Sequence, residues 1–345
     1  MANKNLDALG KAGSPRFDGF VAPCDSASSV GAIERGKVTR RGILLGGIYL
    51  CCTPPTASAG PPGPLPMEEI ASGIHIRRGL DEDATKANAD AIANIGFIVG
   101  SNGVLVTDPG GSLADGENLR TTIKQMTSLP IKYVVISHVH PDHIFGASAF
   151  VKDTPVFVGH ARLAQALQQR GAYYRDVLSK LLGPEQAGTI VMPTLEVGDR
   201  AEIDLGNRII DATAHGVAHT TCDLSLLDRN TGTLLPADLL FVQRIPSLDG
   251  SLPGWLKELA VLKQLGAPRA VPGHGPVSVD WPAGAAAVER YLTTLERDTK
   301  QAISDGIDID AAVKTVAASE RSAWTLFDDY NGRNVAEVYK ELEWQ

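Results

Sequence analysis

Ser137-His138-Val139-His140-Pro141-Asp142-His143 places four potential metal ligands within six residues. It directly follows Ile131-Lys132-Tyr133-Val134-Val135-Ile136, a near-continuous apolar run that reads as a strand buried on both faces. If the alternation of that strand persists, His138 and His140 point the same way and share one ion. Asp142 and His143 then fall on the turn beyond, within reach of a second ion. Neutral imidazole and carboxylate are the ligands zinc prefers, at about 2.0–2.2 Å. A His-x-His pair alone is a weak signal, because a surface histidine cluster has the same appearance.

Three further positions strengthen it. His219 lies in Ala214-His215-Gly216-Val217-Ala218-His219-Thr220, after an apolar strand-like run. Asp238 closes Pro236-Ala237-Asp238 at the expected end of another strand, and His274 sits in Pro272-Gly273-His274-Gly275 after a third. Small flanking residues let a loop approach a metal closely. Five of the eight histidines fall in these places. Ligands gathered at separate strand ends point to metal-assisted chemistry rather than to chance.

Short β-rich runs broken by glycine precede the motif: Ile70, Ile74 and Ile76, then Ile95, Phe97 and Val99, then Val104–Val106. Helices are expected over Glu117–Met126, residues 160–183, Leu252–Leu265, Ala283–Ala302, Ile309–Ala318 and Asn334–Glu343. Strands are expected near Ala201–Ile203, Arg208–Ala212, Leu224–Leu227 and Thr233–Leu235. Two similar halves of strands followed by helices suggest two sheets packed face to face with helices outside. No linker divides residues 67–345, which therefore read as one catalytic domain.

The ordered set His-x-His-x-Asp-His, then a histidine, an aspartate and a final histidine, resembles the signature of the metallo-β-lactamase superfamily. That resemblance implies an α/β fold, the αββα four-layer sandwich. It implies that His138, His140 and His219 bind a first metal, that Asp142, His143 and His274 bind a second, and that Asp238 bridges them. Asp142 and Asp238 are then also the catalytic carboxylates, with two Zn2+ as cofactor and iron as the alternative. Asp108, in Val106-Thr107-Asp108-Pro109-Gly110, matches a family aspartate near the metal loop; orienting a ligand and capping a turn are both open to it. Met67–Ile74, Gly110-Gly111-Ser112 and Phe327–Asn334 are similar to a narrower periplasmic subgroup, the quinoprotein relay system zinc metallohydrolases, and to related hydrolases of thiosulfate-oxidation loci. That likeness implies a setting near periplasmic alcohol oxidation and names no substrate.

The front end reads differently. Residues 1–36 are polar and aperiodic, as in a disordered leader. Thr39-Arg40-Arg41-Gly42-Ile43-Leu44 opens an apolar run ending at Cys52, and Ala57-Ser58-Ala59 supplies a small-x-small cleavage site. Residues 1–59 thus read as a leader with a twin-arginine signal peptide cleaved after about Ala59, and 60–66 as a Pro/Gly linker. The run is shorter than the ~20 apolar residues needed to span a bilayer, so stable membrane insertion of the mature protein is not expected. The long leader leaves room for translation to begin at Val38. The twin-arginine translocation machinery is the expected partner and the periplasm the expected location.

The formal net charge is −8. The first 59 residues hold seven Lys/Arg and four Asp/Glu, leaving 25 basic against 36 acidic residues beyond them. An acidic body argues against nucleic acid as partner, since phosphate binding needs a basic footprint. A small-molecule substrate is expected instead: an ester, thioester, lactone or related compound. A β-lactamase is one rival, disfavoured because lactamases of the resembled fold usually carry Cys or Ser where Asp238 stands. An iron-dependent sulfur dioxygenase on the same scaffold is another. Cys222, left alone once the leader is removed, reads as a buried thiol. His75 and His160 read as structural, and His215 as packing or a hydrogen bond to a ligand. Arg170, Tyr173, Tyr174 and Arg175 lie in a stretch with two readings: a lid over the metals or, the favoured one, a solvated helix packed on the sheet.

Overall fold

The computed structural model describes residues 64–344. The leader, the twin-arginine segment and most of the linker lie outside the described residues. Two sheets form the centre. The first contains β1 (Glu68–Ala71), β2 (Ile74–Arg77), β3 (Ile95–Val99), β4 (Val104–Thr107), β5 (Ile131–Ile136), β6 (Val156–His160) and β7 (Leu195–Val197), in chain order. Strands β1 to β4 pair antiparallel, and β4 to β7 pair parallel. Parallel pairing needs crossovers, supplied by α1 (Leu113–Met126), by α2 (Pro141–Ile144) with a 3-10 segment over Phe145–Asp153, and by α3 (Leu163–Leu182).

The second sheet contains β8 (Arg200–Asp204), β9 (Ile209–Ala214), β10 (Leu224–Asp228), β11 (Thr233–Phe241), β12 (Arg269–His274) and β13 (Val279–Asp280), in the order β13-β12-β11-β10-β9-β8. Only β11 and β12 run parallel, joined through α4 (Leu252–Leu262). Helices α5 (Ala286–Ser304), α6 (Ile309–Thr315) and α7 (Phe327–Leu342) follow.

The side-chain period of two on each strand divides the core into three interfaces. In β4, Val104 and Val106 face α1 and α3, while Leu105 faces the other sheet. In β5, Val134 and Ile136 take the helical side and Val135 the inter-sheet side. Ile203, Ile210, Ala212, Leu224, Leu226 and Val271 meet them from the second sheet. On its far face that sheet is covered by α4 to α7, through Trp255, Tyr291, Leu295, Val335 and Val338. The result is the expected αββα sandwich. Each fully buried Leu, Ile or Val contributes about 1.5–3 kcal/mol, so a charge at Val135 would open both sheets at once.

Buried ion pairs fix the register of these layers. Arg208 forms a bidentate pair with Asp228 (3.0 and 2.9 Å) and donates to the carbonyls of Ser72 and Val99 on the first sheet. Arg77 similarly grips Asp115 of α1 at 2.7 and 2.6 Å. No described helix is long and apolar enough to cross a membrane.

Three boundaries differ from expectation by four residues or more. α1 begins four residues early, because Ser112 caps it by accepting from the Asp115 amide. α7 begins at Phe327 rather than Asn334. β11 runs through Pro236 to Phe241, so Asp238 lies within a strand and not at its end. Pro236 is tolerated because the β11–β12 register shifts around Ala237, which takes a left-handed φ of 48°.

Candidate metal centre

All seven side chains singled out by sequence converge at one end of the sandwich. β5 stops at Ile136, so His138 and His140 sit on a loop rather than a strand extension, with His140 at the N-cap of α2. Their ring nitrogens nevertheless meet. His138 Nε2 lies 3.1 Å from His140 Nδ1, and His219 Nε2 lies 2.9 Å from His140 Nδ1 and 3.3 Å from His138 Nε2. Three nitrogens bound tetrahedrally to zinc at its usual bond length would be about 3.3 Å apart, so the triangle has nearly the size a cation needs.

Asp142, His143 and His274 form a second group. Asp142 Oδ2 is 3.2 Å from His274 Nε2 and 3.5 Å from His143 Nε2. Asp238 stands between the groups. Its Oδ2 lies 3.4 Å from His219 Nε2, 3.7 Å from His138 Nε2 and 3.3 Å from His274 Nε2, and its Oδ1 lies 3.1 Å from His143 Nε2. His143 Nε2 and Asp238 Oδ1 are fully buried yet lack an aligned hydrogen-bond partner. Gly273 keeps the space open, since a Cβ there would come within 1.9 Å of Asp238 Oδ1. Buried nitrogens and carboxylate oxygens gathered at these distances, two of them without an aligned hydrogen-bond partner, fit two cation sites.

The nitrogen of each histidine that faces away from the centre meets a partner. His138 Nδ1 meets Ser137 Oγ (2.9 Å), and His140 Nε2 meets Asp249 Oδ2 (2.8 Å). His219 Nδ1 donates to Ser247 O (2.7 Å) and His274 Nδ1 to Ile92 O (3.1 Å). His143 Nδ1 lies 3.0 Å from Asp108 Oδ2, close but poorly aligned. Asp108 accepts from the Ser137 amide through Oδ1, so it holds the turn and faces a histidine at once. Such contacts set the tautomer and turn the free lone pair inward. Burial pushes the pKa of His219 down to about 3 and that of His138 well below the usual range, which keeps both in the neutral, ligating form. Burial opposes charge on His143 too, but the carboxylates of Asp238, Asp142 and Asp108 outweigh it and raise its pKa.

Aromatic rings back the centre. Phe241 stacks on His274 with centroids 5.0 Å apart, and Trp255 meets His219 edge-on at 5.1 Å. In front opens a cleft of about 660 Å³. Leu178 and Leu181 of α3 give it an apolar wall, and Arg170, Tyr173 and Tyr174 of the same helix line it. Arg175 does not. It turns away to the Gly188 carbonyl, so three of the four residues named on this helix border the cleft.

The remaining histidines are structural. His75 stacks on Phe97, His160 accepts from the Arg162 amide, and His215 bridges Glu258 and Ser225 without touching the centre. Cys222 is fully buried beside Thr220. Sequence reasoning missed Asp90, Arg244 and Asp249, which line the cleft, and gave no role to Tyr330 and Arg333, which line it with them. Only Tyr330 and Arg333 carried a signal, inside the Phe327–Asn334 resemblance.

The sequence profile of the metallo-beta-lactamase superfamily matches residues 89–274, more than half the chain and all seven converging side chains. The chain belongs to the metallo-beta-lactamase superfamily. A linear primary-alkylsulfatase of Pseudomonas sp. (strain ATCC 19151) is 33% identical over 67 residues, covering 19% of this chain and only 13% of that protein. Among solved structures, the metallo-beta-lactamase from Pontibacter korlensis superposes with a TM-score of 0.55 at 18% identity, over 66% of this chain and 99% of that one. The stereoselective inverting sec-alkylsulfatase Pisa1 of Pseudomonas sp. superposes with a TM-score of 0.61 at 15% identity, over 80% of this chain and 50% of that one. At these identities the structural likeness is one of fold.

Proposed function

We propose that this superfamily member is a dinuclear zinc hydrolase that cleaves a small ester, thioester, lactone or related substrate, with iron as the alternative metal. His138, His140 and His219 hold one ion, Asp142, His143 and His274 the other, and Asp238 stands between them. The observation that carries this reading is the inward convergence of seven buried donors, four of whose five histidines are hydrogen-bonded from behind. When bound, a pair of divalent cations supplies Lewis acidity and acidifies water enough for attack near neutral pH. The protein supplies orientation. Asp142 lines the cleft and is placed to orient the attacking water and hold its proton. Phe241 and Trp255 keep solvent off the rear of the histidines, and Leu178 and Leu181 offer an apolar wall to the substrate body.

Metal quantification of purified protein together with a hydrolysis panel of lactams, lactones, thioesters, carboxylic and phosphoric esters tests it. Metal-dependent turnover of one class, lost in Asp142→Ala, is expected; turnover surviving in that variant refutes the assignment. Sulfate monoesters join the panel because the alkylsulfatase match is one of sequence. The native metal separates a zinc hydrolase from an iron dioxygenase.

We further propose export to the periplasm through Arg40 and Arg41, in a setting near quinoprotein alcohol oxidation. The sequence of the leader and the subgroup resemblance support this. Changing both arginines to lysine should keep the protein in the cytoplasmic fraction; unchanged export argues against it.

A further inference from the structure

Three arginines line the cleft, and two of them are already paired. Arg170 Nη1 donates to Asp249 Oδ2 at 2.9 Å, and Arg333 pairs with Asp249 Oδ1. Arg244 differs. It lies just past β11 and is only 6% exposed, yet it borders the same cleft as Asp142, Asp238 and His274. Its backbone is pinned to the chain at Thr325. Its Nη1 donates to the Glu82 carbonyl (2.9 Å) and its Nη2 to the Tyr330 hydroxyl (3.1 Å), with the guanidinium carbon 5.4 Å from the Tyr330 ring centroid. Among the described residues the guanidinium makes no other hydrogen bond and no ion pair closer than 3.7 Å, the distance to half-exposed Asp83. Asp83 in turn accepts the Tyr330 hydroxyl proton. Asp90, a buried carboxyl on the same cleft, would be the natural partner. It lies beyond ion-pair distance, and its Oδ2 has no partner of its own.

A buried guanidinium held by a carbonyl, a phenol and a distant carboxylate is a costly arrangement unless something completes it. The open side is the cleft. A planar fork with free N–H groups is suited to an oxyanion. We infer that Arg244 is a specificity-determining residue that binds the negatively charged group of an anionic substrate beside the metal ligands. This deepens the hydrolase reading and rests on it. The geometry explains why the cation is rigid: Glu82, Tyr330 and the Thr325 contact fix its direction before substrate arrives, so little side-chain entropy is lost on binding.

The test uses the metal-loaded enzyme. Binding of inorganic sulfate is measured by calorimetry, and kcat/KM is measured for 4-nitrophenyl hemisuccinate and for neutral 4-nitrophenyl butyrate. Arg244→Gln is expected to weaken sulfate binding about tenfold or more and to lower kcat/KM for the anionic ester by a similar factor. The neutral ester should change by no more than about twofold, because it makes no charge-assisted bond there. Arg244→Lys should fall between, since an ammonium keeps the charge and loses the fork. Asp83→Asn removes the carboxylate that lies within ion-pair distance of Arg244 and does not line the cleft, and should tighten sulfate. The inference is overturned if wild type binds no sulfate, or if Arg244→Gln leaves both sulfate affinity and the anionic-to-neutral ratio unchanged. Should Arg244→Gln lose its fold, an unchanged sulfate affinity in Asp83→Asn overturns it instead. If wild type cleaves neither ester, the hydrolase reading fails on its own and the sulfate measurement still decides Arg244.

Discussion

Asp249→Ala should loosen the first metal group without removing any metal-facing atom. The Asp249 carboxylate accepts from His140 Nε2 at 2.8 Å, which leaves Nδ1 to face His138 and His219. Burial alone would raise the carboxyl's pKa. The hydrogen bond and charge of His140, then the charges of Arg333 and Arg170, outweigh burial and hold Asp249 well below the usual carboxylate range. Removing such a partner typically costs 10- to 100-fold in metal affinity, or about 1.4–2.8 kcal/mol. Arg170 and Arg333 are about half exposed, so solvent screens their share. Each arginine changed to alanine should therefore move metal retention by less than about threefold. Asp249→Asn keeps an acceptor for His140 and should lie nearer wild type than Asp249→Ala. Competition of the zinc-loaded proteins with a fluorescent chelator reads the affinities, with thermal melts of the same samples as a control for folding. Retention in Asp249→Ala within about twofold of wild type would refute the argument that His140 depends on its brace.

Cys222 should resist modification. Burial pushes its thiol up to about 12, so a chain lacking residues 1–59 should take up no Ellman reagent at pH 8 until denatured; prompt labelling would contradict its burial. Asp228 should stabilise in a pH-dependent way. Burial opposes its charge, but Arg208 and Thr231 lower its folded pKa below the unfolded value. Its contribution is thus present above about pH 4 and disappears as pH falls through the lower folded value. Asp228→Asn should accordingly lower the urea midpoint at pH 7, with the gap closing toward pH 3; a gap independent of pH would contradict the linkage. On α3, Tyr173→Ala should raise KM severalfold while Arg175→Ala leaves it unchanged, because only Tyr173 faces the cleft. Steady-state kinetics on the panel substrate check this, and the reverse pattern would contradict the cleft assignment.

The parts legible in sequence were those written by local rules. β5 was readable because three successive apolar residues serve two interfaces, and its bounds coincide with the apolar run. The metal-facing residues were readable because close ligand spacing in one loop forces shared coordination. Asp238 was found, but its setting was misread: Pro236 normally ends a central strand, and only the register shift beside β12 lets β11 continue. The start of α1 was hidden because Gly110-Gly111-Ser112 reads as a turn until Ser112 is seen as a cap. Asp249 sits in Leu248-Asp249-Gly250, which signals a turn and nothing more. Its place behind His140 arises across a sequence separation of 109 residues. Arg244 and Asp90 were silent for the same reason. Their meaning lies in the partners they lack, which no local pattern encodes.

The central claim is that the two converging groups of side chains hold a pair of cations. Anomalous diffraction from crystals of the purified protein, recorded on both sides of the zinc absorption edge, tests it most directly. The account predicts two peaks, one enclosed by His138, His140 and His219 and one by Asp142, His143 and His274, with Asp238 reaching both. A map with no anomalous peak among these side chains, from protein active on its substrate, would contradict it.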